Sequence, residues 1–101
     1  PGNAQMAYLA GRLYFDRLFW NDGLAAFRAA IKLDAAYRSD PELIKTVLRG
    51  FLVTPSYNGD LASFLRNDIG ELAAGFLEEA ARSHPQAGTR ARAASELKRY
   101  R

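Results

Sequence analysis

The 101-residue chain has no cysteine and only one histidine, one methionine, one tryptophan and four prolines. The missing cysteine excludes a disulfide framework, a thiolate metal site and a cysteine nucleophile together. A single imidazole excludes a zinc centre built from several histidines. Long apolar runs are missing as well. The most apolar piece, Met6 to Trp20, is interrupted by Arg12, Asp16 and Arg17, whereas a bilayer span needs roughly 20 predominantly apolar residues. No membrane insertion is expected. The start, Pro1-Gly2-Asn3-Ala4-Gln5, has neither a positive n-region nor an apolar h-region, so no signal peptide is expected. The chain lacks an initiator methionine and reads as a piece of a longer protein; the domain itself is expected to be cytoplasmic, with a membrane anchor elsewhere in the parent left open.

Motifs that carry chemistry are also missing: there is no P-loop, nucleophile elbow or zinc-binding helix. His84 precedes Pro85 without a recognisable nucleophile beside it, and a helix-end hydrogen bond or a solvated ring is the expected role. Glu78 and Glu79 are adjacent and diverge on a helix, a poor arrangement for acid–base or metal work. The expectation is a non-enzyme with no catalytic residue, metal ligand or cofactor.

What is present is an ordinary globular balance, 49% apolar and 25% charged, in one small domain covering residues 1–101. Six segments carry helical periodicity and none carries strand alternation. The first runs from about Ala4 to Trp20, apolar at Met6, Leu9, Ala10, Leu13, Tyr14 and Leu18 and again at Tyr8, Phe15 and Phe19. That arc is too wide for one buried stripe, so neighbours are expected on two sides. Asn21-Asp22-Gly23 breaks it, with Asp22 as N-cap of a second helix to about Ala36. Asp40-Pro41-Glu42 opens a third helix that stops before Thr54-Pro55. A fourth spans about Asp60–Ile69, with Gly70 after it. A fifth spans Glu71–Ser83 and a sixth about Thr89–Tyr100, with arginines outside. Short connections favour antiparallel neighbours. The expected fold is all-α.

Ala7, Ala10, Gly11 and Tyr14, followed by Gly23, Phe27 and Ala30, resemble the small and aromatic positions of a tetratricopeptide repeat over residues 4–37. The resemblance implies that Gly11 lets the second helix approach closely and that Phe27 wedges between the pair. Ala7 and Ala35 depart from that pattern. Leu72 to Ala81, His84-Pro85 and Thr89 to Leu97 are similar to a HEAT repeat over residues 71–101, with Arg90 at its arginine position. Residues 41–69 form a degenerate pair. The whole resembles the helical regions of large bacterial signalling proteins, Ser/Thr kinases among them, and implies a right-handed α-solenoid-type stack.

Stacked pairs leave a groove lined by first helices. The tetratricopeptide resemblance places Gln5, Tyr8, Arg12, Phe15 and Asp16 in it, a mixture suited to a peptide or partner helix. Tyr8 and Phe15 have an alternative place in the core, and so does Trp20, whose other role is an exposed anchor. Charge is uneven: residues 82–101 hold six basic side chains against one acid, while the first 81 hold eight against ten. Arg90, Arg92 and Arg99 define a basic face, with Arg92 and Glu96 expected to pair on the surface. The favoured function is a non-catalytic protein–protein interaction or scaffolding module, for a peptide, a helix or other domains of its own parent chain. Nucleic-acid binding through the basic last helix and a structural spacer are the alternatives, nucleic acid being the less favoured partner.

Overall fold

The computed structural model describes residues 2–101; Pro1, in the stretch without signal-peptide character, lies outside the described residues. Among them all regular structure is helical, as the periodicity predicts. Helix α1 (Gly2–Asp16) and α2 (Trp20–Leu33) form a hairpin, followed by a 3-10 turn (Ala35–Ser39). Helix α3 (Pro41–Val53) crosses the middle. Helix α4 (Gly59–Ser63) runs on as a π-helical segment (Phe64–Ile69). Helices α5 (Glu71–Ser83) and α6 (Ala87–Leu97) form a second hairpin, and Lys98–Tyr100 closes the chain in a 3-10 turn. No helix among the described residues is long and apolar enough to cross a membrane.

Local chemistry sets most of the boundaries. Asp40 accepts a hydrogen bond from the Leu43 N–H at 2.9 Å ahead of Pro41, the N-cap-then-proline start expected there. Asn58 caps α4 the same way, through the Leu61 N–H at 3.0 Å. Gly70 has φ +88°, a backbone that a Cβ would strain, and its N–H reaches back five residues to the Leu65 carbonyl.

The first hairpin turns earlier than the sequence predicts. Helix α1 ends at Asp16, not near Trp20, and Asp22 sits inside the first turn of α2 rather than capping it. The cause is a Schellman closure. The Leu18 N–H bonds the Phe15 carbonyl at 3.0 Å and the Phe19 N–H bonds the Tyr14 carbonyl at 2.9 Å. Leu18 takes the left-handed position with φ 66°, where glycine is usual. Tyr14 and Phe19 supply the apolar contact that accompanies this motif, their ring centroids 6.5 Å apart.

Close packing then fixes the hairpin. A Cβ on Gly11 would run into the Phe27 ring, and one on Gly23 into the Phe15 ring. A Cβ on Gly50 would stand 2.9 Å from Cζ3 of Trp20, so α3 also comes close. Leu43, Ile44, Val47 and Phe51 of α3 lie at the centre of one contiguous core. That core extends to Phe15 at one end and to Leu77 and Ala93 at the other.

Candidate docking face

Helix α1 has two apolar faces, and the described residues cover only one. At 100° per residue, Ala4, Tyr8, Gly11 and Phe15 share the face turned to α2 and α3. Met6, Leu9, Ala10 and Leu13 lie on the opposite side, about half a turn away. Met6 is 69% exposed, Leu13 64% and Leu9 49%, and Leu18 and Phe19 continue the patch beyond the turn at 62% and 51%. Ala10, Leu13, Tyr14, Arg17 and Phe19 line a shallow cleft of about 290 Å³. The neighbours expected on two sides are therefore present on one.

The residues expected in a groove separate. Phe15 is 5% exposed and belongs to the core, 5.3 Å from Phe27 and 5.4 Å from Trp20 between ring centroids. Of the two places open to it, groove or core, Phe15 takes the core, because the early turn brings Trp20 and Gly23 back over its ring. Tyr8 is half-buried, stacked between Phe27 at 5.9 Å and Tyr37 at 5.0 Å. Only Arg12 and Asp16 stand fully on the surface, with Gln5, along the Leu9 edge of the outward face. Arg12 donates to the Tyr8 hydroxyl at 3.2 Å, a bond that holds its pKa above the ordinary value. Trp20 is half-buried against the core.

Two of the three residues of the basic face, Arg90 and Arg92, are engaged by the fold, and Arg99 stays exposed. Arg92 points inward and donates to the carbonyls of Phe51 at 2.9 Å, Thr54 at 2.7 Å and Pro55 at 3.3 Å, which closes the end of α3. Arg90 donates to the carbonyls of His84 at 2.7 Å and Pro85 at 3.1 Å. Arg99 lies over the Tyr57 ring and pairs with Glu96 at 3.3 Å. The surface pair expected between Arg92 and Glu96 does not form, because Glu96 is 2% exposed. Its carboxylate accepts from Tyr57 at 2.8 Å and from Arg66 at 3.0 Å.

Residues considered for chemistry have structural partners. His84 Nδ1 accepts from the Gln86 N–H at 3.1 Å at a helix end. Glu79 is bound to Ser83 and Arg82, which hold its pKa below the usual carboxylate value. Glu78 meets Arg101 at 3.2 Å. Among the described residues no group of three or more His, Cys, Asp or Glu is placed to hold a metal ion.

The exposed outward face of α1 is not among the residues expected at a site. Its signal was the second apolar arc at Met6, Leu9, Leu13 and Leu18, assigned in advance to intramolecular packing. Comparison with protein-family models, with curated proteins and with solved structures gives no match to this chain.

Proposed function

We propose that this chain is a non-catalytic protein-interaction module that docks through the outward face of α1. The observation that carries the reading is the run of exposed apolar side chains Met6, Leu9, Leu13, Leu18 and Phe19 on one side of the molecule. Apolar groups scattered singly over a surface are ordinary, but a contiguous patch of this kind marks an interaction site. The turn adds support. Leu18 holds a left-handed backbone at φ 66° while most of its side chain faces water. Neither the strain nor the exposure helps an isolated fold.

A repeat-like architecture belongs to the same proposal. The close approach of Phe27 to Gly11 is what a tetratricopeptide-type hairpin requires, and α5–α6 supplies a second antiparallel pair for a HEAT-type end. The protein reading is preferred over nucleic-acid binding because Arg90 and Arg92 spend donors on backbone carbonyls, which leaves Arg99 as the exposed member of the three. Phosphate contacts draw on unengaged cations.

The test is partner recovery from cells that make the protein, comparing wild type with Leu9→Glu plus Leu13→Glu and, separately, with Arg99→Ala, the exposed member of the basic face. Loss with the first pair and retention with the second is expected. Equal recovery by wild type and the α1 variant would refute the docking face.

A further inference from the structure

We propose that the outward face of α1 pairs with the same face of a second copy of this chain, helix antiparallel to helix. The proposal rests on reading that face as a docking surface and goes further by naming its occupant.

Size is the first ground. The exposed fractions of Met6, Leu9, Leu13, Tyr14, Leu18 and Phe19 amount to on the order of 600–700 Å² per copy, close to the roughly 800 Å² per partner of a standard interface. Full burial of this face on both copies would reach the lower end of the roughly 1,200–2,000 Å² of a specific interface.

Charge makes the face complementary to itself. Along one edge of the face stand Arg12 and Asp16, both exposed. Neither makes an ion pair among the described residues, since Arg12 turns back to the Tyr8 hydroxyl. In an antiparallel pair about a twofold axis, each edge meets its own equivalent, so residue i meets j while j meets i. Arg12 of one copy then faces Asp16 of the other, twice over. A parallel pair would bring that edge against the side holding Asn3, Ala10, Tyr14 and Arg17, which offers a base to Asp16 but no acid to Arg12, so only the antiparallel pair matches both charges.

Register follows from the charges. Matching position 12 to position 16 sets the twofold axis beside Leu13 and Tyr14. Leu18 of the second copy then comes over Ala10, and its Phe19 over Leu9. Ala10 forms the floor of the cleft lined by Leu13, Tyr14, Arg17 and Phe19, so the smallest side chain of the stripe receives the leucine that the turn thrusts outward. The exposed turn and the dent are two halves of one contact.

Sedimentation equilibrium of the full chain from about 1 μM to 1 mM tests this. Wild type is expected to associate to a dimer. Asp16→Arg alone and Arg12→Asp alone should each raise Kd about tenfold, and the double exchange should return it to within about threefold of wild type. Circular dichroism checks that each variant is folded. The absence of native cysteine supplies a second readout that tolerates weak association. Leu13→Cys, beside the axis, should form an interchain disulfide on oxidation, whereas Met6→Cys, far from it, should not.

A wild type that stays monomeric at every concentration overturns the proposal. So does a double exchange no tighter than the single variants, or equal cross-linking at both cysteine positions. A monomer whose Leu9→Glu plus Leu13→Glu variant still loses cellular partners would leave the docking face standing with a different occupant. A monomer whose variant loses none would remove both.

Discussion

Glu96 of α6 accepts a hydrogen bond from Arg66 Nη1 at 3.0 Å across thirty residues of sequence, with its carboxylate almost wholly out of water. Tyr57 donates to the other carboxylate oxygen at 2.8 Å and Arg99 approaches at 3.3 Å. One acid therefore ties α6, the π-helical segment and the loop after α3 into a single unit. Glu96→Ala would strand these donors around a gap. Because Arg66 and Arg99 remain partly accessible and can rehydrate, the expected loss is about 2–3 kcal/mol, toward the lower end for breaking a buried pair. Urea unfolding followed at 222 nm measures it. A loss under about 0.5 kcal/mol would show that the knot contributes nothing.

Leu18 occupies the left-handed closing position of α1, where an L side chain costs roughly 1–2 kcal/mol relative to glycine. Its side chain is 62% exposed, so little packing is lost on removal. Leu18→Gly should raise stability by about 0.5–1 kcal/mol while weakening association through the α1 face. Thermal unfolding and sedimentation read the two effects separately. Destabilisation would mean that the leucine is bound into the fold.

Gly11 and Gly23 have no room for a methyl group against Phe27 and Phe15. Overpacking of a tight interior costs about 1–3 kcal/mol, more than the helix propensity gained by alanine. Gly11→Ala should lower stability by about 1–2 kcal/mol. Gly75→Ala, where a Cβ meets nothing within 4 Å on α5, should raise it by about 0.5–1 kcal/mol. Opposite signs at two helical glycines are the diagnostic result in chemical denaturation.

Tyr100 carries a buried hydroxyl with no hydrogen-bond partner among the described residues, and burial first, then Glu96, pushes its pKa up to about 12. The folded state thus holds the phenolic proton after the unfolded chain, near pH 10, has begun to release it. Stability from this group is fully present below pH 10 and falls as pH rises from about 10 to 12. The loss should be about 1–2 kcal/mol after allowance for partial solvent screening. Tyr100→Phe should remove that part of the alkaline slope and be neutral or slightly stabilising at pH 7, since it deletes an unpaired buried hydroxyl. Paired urea titrations at pH 7, 10 and 12 check both statements.

Helix number and several boundaries were legible because local rules decide them: Asp40-Pro41 at the start of α3, Gly70 after the fourth helix, and His84-Pro85 after α5. The first turn was not, because the stronger signal at Asn21-Asp22-Gly23 lies inside α2, while the true closure uses a leucine where glycine is the usual mark. Periodicity revealed two apolar arcs on α1 without showing that the remaining five helices would leave one uncovered. That depends on how α3 centres the packing. The roles of Arg92 and Glu96 were likewise invisible. An i, i+4 spacing suggested that they meet each other, yet each finds better partners about 30 to 40 residues away in Arg66 and in the Phe51 and Thr54 carbonyls. Tertiary contacts of that span leave no local trace.

An outward face of α1 that serves a partner and not the fold can be altered without loss of stability. The most direct measurement is the urea unfolding free energy of Leu9→Glu plus Leu13→Glu, taken with the association state of the same sample. Stability within about 0.5 kcal/mol of wild type is expected, as for surface substitutions generally, together with loss of concentration-dependent association. A destabilisation of 2 kcal/mol or more, or association as strong as that of wild type, would contradict it.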